Sequence, residues 1–560
     1  MATPQRFLEG QDVSTTRFLL RPVALAALAA AATTASAFTF EAGDIRGNFD
    51  STISVGTGIR ARAPSCWAVT DGASGPGAPA GCLAPTSALG DQGDLNYGKG
   101  DFFAGYLKGN HELLLKAPGD FTFMGRVNWV KDFAATHTTG ILSATTPPEL
   151  TDGLASDARK DLKFKGRLLD LWVSKSFQLG EQNARVRVGN QVVSWGESLF
   201  LPGGINSTNA MDIMRLSQPG TQLKEVYLPA PMVSFASGIA RGLNFEAYVQ
   251  TNWNKSYFPP TGSYWSVVNG LGKGHAAYGL EEKRARNSGQ WGAALRYEPP
   301  GMQLNLGLYA MNYHDKTPNF SLDIDGTGAM GWVHVEDRKL YGVSANFPVG
   351  DWAIGTELSY RPRDAVALNA ATSGCASQKG NCWVDEARWQ WHGTALLSLT
   401  PDVGGGILKA LGAQTATLLF EAVAIRYPHM KQSYDGDFVT AGGWGWGQLT
   451  NPDGTPVPMG TRTSMGFNFD FSWVYDGTVI PGWQVMPEIY YFQAVSGRTP
   501  NLSGLFMKGA KSANLMVSFI QNPAKWQITL NYARFFNGKE LLDQPLKDRD
   551  FFGIAISRNF

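Results

Sequence analysis

Phe551-Phe-Gly-Ile-Ala-Ile-Ser-Arg-Asn-Phe560 closes the chain and decides how the rest is read. In an extended strand Phe552, Ile554, Ile556 and Phe560 share one face, while Gly553, Ala555, Ser557 and Asn559 share the other. An apolar row backed by small and polar residues, ending in a terminal aromatic, suits the closing strand of an outer-membrane barrel. Arg558 interrupts the apolar row two residues from the end, where a long side chain can snorkel to the headgroup boundary.

Working back from that strand, composition narrows the classes. The chain has 560 residues, 17% of them charged, and a net charge of +1. It has no basic stripe or tail of the kind a nucleic-acid binder carries. The one strong apolar run, Pro22 to Ala32, is too short to cross a bilayer as a helix. Arg17 and Arg21 precede it and Ala35-Ser36-Ala37 follow, which predicts a signal peptide over 1–37 and a single barrel domain over 38–560. Glycine (65) and tryptophan (17) are both abundant, as a barrel with two aromatic girdles requires. Cys66, Cys82, Cys375 and Cys382 permit three pairings; local pairs, Cys66–Cys82 and Cys375–Cys382, are the economical ones in an oxidising compartment. No cysteine–histidine cluster points to a metal, and no cofactor is expected.

Period-two alternation predicts an all-β, transmembrane antiparallel up-and-down barrel of about 18 strands. The first runs from about Asn48 to Arg62. Others lie near 103–117, 120–134, 166–178, 183–195, 226–239, 242–254, 288–298, 302–314, 336–347, 351–362, 387–400, 412–427, 461–475, 482–495, 508–520, 525–537 and 549–560. Sixteen strands remain if 226–239 is not in the wall. Trp526, Ile528, Leu530 and Tyr532, alternating with Gln527, Thr529 and Asn531, show the pattern well. Connections alternate between short turns such as Pro118-Gly-Asp120 and long loops such as 135–165 and 428–460. Periplasmic turns and outer loops alternate in the same way.

With the apolar parity on lipid, the other parity lines the lumen. It carries Lys108, Glu112, Lys116, Arg126, Asp170, Arg185, Arg187, Glu246, Arg296, Glu298, Glu357, Arg361, Glu421, Asp470 and Glu488, seven basic and eight acidic. A one-sided ring would select ions of one sign, and this wall has none. Two readings stay open. The charges are wall-to-wall ion pairs stiffening the barrel, or, interleaved with Met124, Trp172, Tyr248, Tyr309, Met311 and Phe492, they suit an uncharged or amphipathic solute.

Alternation fails after Gln191. Trp195, Glu197, Phe200, Asn206, Asp212, Met214 and Arg215 mix apolar and charged types too closely for a freely solvated loop. We read 196–225 as folded into the barrel and bonded to the Arg185–Arg187 strand, narrowing the pore; a packed outer lid is the alternative. Arg185, Arg187, Gln191, Trp195, Glu197, Asn206, Asp212 and Arg215 are the candidate gate residues. Arg126, Asp170, Glu246, Arg296, Glu357, Arg361 and Glu421 are the candidate lumen wall.

The run Arg187-Val-Gly-Asn-Gln-Val-Val-Ser-Trp-Gly-Glu-Ser198, with Gly-Ile-Asn206, Asp212, Pro219-Gly220 and Leu228-Pro229, resembles a proteobacterial outer-membrane family, the domain of unknown function 1302. So do Leu95-Asn-Tyr-Gly-Lys-Gly-Asp101, Glu357-Leu-Ser-Tyr-Arg-Pro362 and Asp548-Arg-Asp-Phe551. Tyr491-Phe-Gln-Ala-Val-Ser-Gly497 departs from the family's acidic run at that place. The resemblance implies an exported barrel associated with breakdown of steroids, long-chain acids or alkanes.

The functional expectation is a channel or uptake protein, not an enzyme, for hydrophobic or amphipathic solutes. Outer-membrane lipid surrounds it and a periplasmic carrier takes the solute onward. A general or sugar-type porin is the alternative, and an outer-membrane hydrolase a third class. A hydrolase needs a nucleophile and base in reach, and His392 is the one histidine that parity places in the lumen wall.

Overall fold

A sheet whose edge groups meet lipid has no partner for them, so it must close on itself. The computed structural model shows that closure and describes residues 38–65, 88, 90–138, 150–218, 220–442, 459–539 and 543–560. In chain order the wall strands are β1 (Ile45–Arg60), β2 (Phe102–Ala117), β3 (Phe121–Asp132), β4 (Phe164–Leu179), β5 (Gln182–Gln191), β6 (Ala230–Ala240), β7 (Leu243–Gln250), β8 (Gln290–Tyr297) and β9 (Asn305–Tyr313). They continue with β10 (Arg338–Val349), β11 (Trp352–Ala367), β12 (Trp383–Leu399), β13 (Thr415–Arg426), β14 (Thr463–Asp476), β15 (Trp483–Ser496), β16 (Ala510–Gln521), β17 (Trp526–Asn537) and β18 (Phe551–Asn559). Each pairs antiparallel with the next, and β18 returns to β1 from Thr52↔Asn559 to Arg60↔Phe551. The strand Phe38–Ala42 lies outside the ring, folded back on the start of β1.

Eighteen strands therefore close the wall, the segment near 226–239 joining it at Ala230. The strand expected over 183–195 stops at Gln191, where the chain turns inward. Side chains of the outward parity, such as Leu168, Val188, Val249, Leu308, Val343, Leu515 and Phe552, are exposed and apolar, as contact with lipid requires. Arg558 lies on this face between the rings of Trp526 (5.0 Å) and Phe560 (4.8 Å), its charge beside the barrel's short-turn rim.

The seam between β1 and β18 is narrow inside, where Ser54, Gly56 and Gly58 face Ser557, Ala555 and Gly553. Its long-loop end is locked by charge. Arg60, fully buried, donates to the carbonyls of Asp94 and Tyr97 (both 2.7 Å) and to the Asp94 carboxylate (2.6 Å). Arg549 donates to the carbonyls of Tyr264 and Ser266 and to Asp91. Phe103 stacks on Tyr264 at 3.8 Å, with Trp265 and Phe551 edge-on to Phe103. Two runs quoted from distant parts of the sequence, 95–101 and 548–551, thus meet in one cluster. Burial, resisted by Arg549, pushes the Asp91 carboxyl up to about 6, and burial with Asp94 nearby pushes Asp548 up to about 7.

Cys375 and Cys382 are joined by a disulfide, Cα atoms 5.2 Å apart, in an outer loop packed on Val366, Tyr427, Met430 and Phe506. Cys66, Cys82 and the expected signal peptide lie outside the described residues.

Candidate pore constriction

Past Gln191 the backbone leaves the sheet and needs new partners for its N–H and C=O groups. Trp195 turns inward against Tyr248 (centroids 5.3 Å) and Tyr309 (5.8 Å), and its indole N–H donates to Glu246 at 2.8 Å. Arg296 holds the other Glu246 oxygen at 3.4 Å. The chain then runs to the far wall. Glu357 on β11 accepts the N–H of Glu197 (2.6 Å) and of Ile205 (2.9 Å). Any Cβ on Gly196 or Gly204 would overlap that carboxylate, which is why both positions are glycine. Glu421 on β13 accepts three consecutive N–H groups, Leu199 (3.3 Å), Phe200 (2.7 Å) and Leu201 (2.9 Å).

Carbonyls of the same turn go to cations and amides. Arg361 reaches the Gly203 and Gly204 carbonyls and the Ser207 hydroxyl, and Gln390 donates to the Pro202 carbonyl at 3.1 Å. His392 is a buried wall residue, its Nδ1 at 2.8 Å from Glu421 and its Nε2 at 2.7 Å from Gln390. Burial and the neighbouring Glu357 raise the Glu197 carboxyl above its ordinary range.

The return path is anchored on the near wall. Asn206 donates to the Tyr227 hydroxyl (3.1 Å), and Asp212 caps the short helix Ile213–Ser217 while pairing with Arg167 of β4. Arg215 is buried, donating to Gln218 at 2.8 Å. Glu225 takes Lys108 (2.8 Å) and Asn110 (2.9 Å) from β2, and Lys224 pairs with Glu112. Burial alone would raise the Glu225 carboxyl, but Lys108 and Arg215 hold it below its usual range. Residues 192–218 and 220–229 thus form a shelf across the lumen, braced on β2–β4 and β11–β13.

The in-folded reading of this segment is what the geometry shows. One part of it is corrected: the shelf is not bonded to Arg185 or Arg187. Backbone N–H groups need acceptors, and guanidinium groups have none to offer, so Glu357 and Glu421 take that part. Arg187 instead lies over the Trp172 ring at 4.0 Å, and Arg185 is exposed. Gln191 is buried, donating to the Met232 carbonyl (3.2 Å) and accepting from Ser234 (3.0 Å), so it fastens β5 to β6. Arg126 does bridge wall carboxylates, Glu112 at 3.1 Å and Asp170 at 2.6 Å. Lys108, Asn110 and Glu225 were absent from the candidate set; the signal available was the inward parity of Lys108 beside an unassigned acid in the loop.

Among the described residues no hydrogen bond or ion pair joins the shelf to β14–β17. There Phe200 meets the Tyr490 ring at 5.8 Å, and Leu199 and Phe200 keep 40% and 37% of their surface exposed. Asp470, Glu488, Asn514 and Met516 share the inward face of the wall with Tyr490.

The family model described as "Protein of unknown function (DUF1302)" matches residues 19–560. The chain belongs to that family. No curated protein matches it. Among solved structures it is similar to Acinetobacter baumannii OccAB1, at 10% identity, TM-score 0.42, covering 92% of this chain and 96% of that one. It is similar to Pseudomonas aeruginosa OccK2 in complex with glucuronate, at 10% identity, TM-score 0.39, covering 92% and 98%. Salmonella typhi OmpF with daunomycin follows at 8% identity, TM-score 0.37, covering 93% and 100%. The reading of this barrel rests on its own geometry.

Proposed function

We propose that this member of the DUF1302 family is an outer-membrane channel for uptake of hydrophobic or amphipathic small molecules, of steroid, fatty-acid or alkane type. The observation that carries the reading is the ledge Leu199-Phe200. Glu421 holds the backbone N–H of both residues, and both side chains stay exposed. Leaving apolar surface in water costs about 25 cal/mol per Å². A ledge held in that condition beside Tyr490 gives a greasy solute a place to shed water on its way through. Lipid surrounds the outward face, and a periplasmic carrier receives the solute beyond the short-turn end.

Deleting the gene should slow growth on a hydrophobic carbon source and leave growth on a small sugar unchanged, with the wild-type chain but not a Leu199→Ser/Phe200→Ser variant restoring it. Equal growth on every source would leave a general or sugar-type porin.

A further inference from the structure

The wall is charge-balanced in total, yet two pairs of its charges find no counter-ion among the described residues. Arg185 and Arg187 on β5 stand opposite Ser176, Ser174, Ala236 and Ser234 on their neighbours, and among the described residues neither enters an ion pair. The nearby carboxylate Asp170 is engaged by Arg126 at 2.6 Å. Half the circumference away, Asp470 and Glu488 on β14 and β15 are hydrogen-bonded to each other and meet no cation among the described residues. Both pairs lie within about six residues of the short-turn end.

Arg187 is held in a particular way. Its guanidinium carbon lies over the Trp172 ring, 4.0 Å from the centroid, and its Nε is buried without a hydrogen-bond partner among the described residues. Stacking occupies the face of a guanidinium and leaves its in-plane N–H donors free for a planar oxyanion. Arg185, two residues away on the same strand face, adds a second fork at the distance of an alternate side chain.

We propose that Arg185 and Arg187, on their Trp172 platform, form a carboxylate-binding site in the channel wall, and that the permeant is an amphipath with one anionic head. This rests on the uptake of amphipathic solutes proposed above and names their class. The head engages the β5 pair and the apolar body lies toward the Leu199-Phe200 ledge, so the solute crosses in one orientation. A neutral alkane or alcohol gains only the ledge.

Single-channel recording on the full chain in planar bilayers tests this with three probes, hexanoate, hexanol and glucose. Hexanoate should interrupt the current with dwell times about tenfold longer than hexanol, a factor of roughly 1.4 kcal/mol. Arg185→Gln/Arg187→Gln should erase that difference while leaving hexanol dwells as they were. Arg185→Lys/Arg187→Lys, which keeps charge but loses the planar fork, should retain only part of it. Asp470→Asn/Glu488→Gln should leave the hexanoate preference in place. Heat-modifiable gel mobility of each variant establishes that its barrel is closed. Equal dwells for hexanoate and hexanol on the wild type, or a preference that survives the glutamine pair, would overturn the carboxylate site and leave the apolar passage standing. Interruption by glucose alone would overturn both.

Discussion

Removing the Glu421 carboxylate is the sharpest perturbation of the shelf. In Glu421→Ala three backbone donors at 2.7, 2.9 and 3.3 Å lose their acceptor, and His392 loses the partner of its Nδ1. Hydrogen bonds to a charged group contribute roughly 1.5–3 kcal/mol each, and the longest of the three contributes least, so the loss is about 3–6 kcal/mol. The rest of the shelf stays tied to Glu357, Arg361 and Gln390, so the loss falls on 199–201 and not on the barrel. A change of that size shifts a local open–closed equilibrium by roughly 10²–10⁴. Planar-bilayer recording should show higher conductance and greater open-channel noise, with heat-modifiable mobility unchanged. Glu421→Gln keeps an acceptor oxygen without the charge and should fall between the two. Wild-type conductance and noise in a correctly folded Glu421→Ala barrel would refute the claim that these bonds hold the ledge.

Trp195→Ala should cost about 3–5 kcal/mol by emptying the pocket against Tyr248 and Tyr309, and, alone or with Arg187→Ala, should raise conductance; an unchanged conductance would place the root of the shelf outside the conducting path. At the seam, Asp91 (about 6) and Asp548 (about 7) both sit above the ordinary carboxyl value, so the folded state binds their protons more tightly. Their contribution to stability is full below about pH 4 and is lost as pH rises through 6 to 7. Asp548→Asn should therefore flatten the dependence of the heat-modification midpoint between pH 5 and 8, and a variant that keeps the wild-type slope would remove Asp548 from the account. Replacing Cys375 and Cys382 by serine opens a loop of sequence separation 7, worth about 2–3 kcal/mol by chain entropy, and limited proteolysis should then cut within 368–382 faster.

The eighteen strands were legible because the wall has two solvents, and alternation is the only pattern that serves both. The anchors of the shelf were not legible, because the partner of a loop N–H is a backbone group with no identity in the sequence. Glu421 reads like Asp170, yet one holds a loop and the other an arginine. The seam cluster is harder still, since Arg549 and Asp91 are 458 positions apart and meet only when the ring closes.

Register nevertheless contains a usable rule. On β2 and β3, Glu112 stands directly across from Arg126, and the two pair. Glu357 stands across from Ser344 and His392, Glu421 from Thr394 and Asn468, and Arg361 from Arg388, none with an opposite formal charge directly beside it. A wall charge with no cross-strand partner must be satisfied from within the lumen, because burial without a partner is costly. For those three the partner is the shelf. Arg187, whose Nε is buried without a hydrogen-bond partner among the described residues, meets the same criterion, and the shelf does not reach it. By the same argument the group that completes it enters from outside the chain.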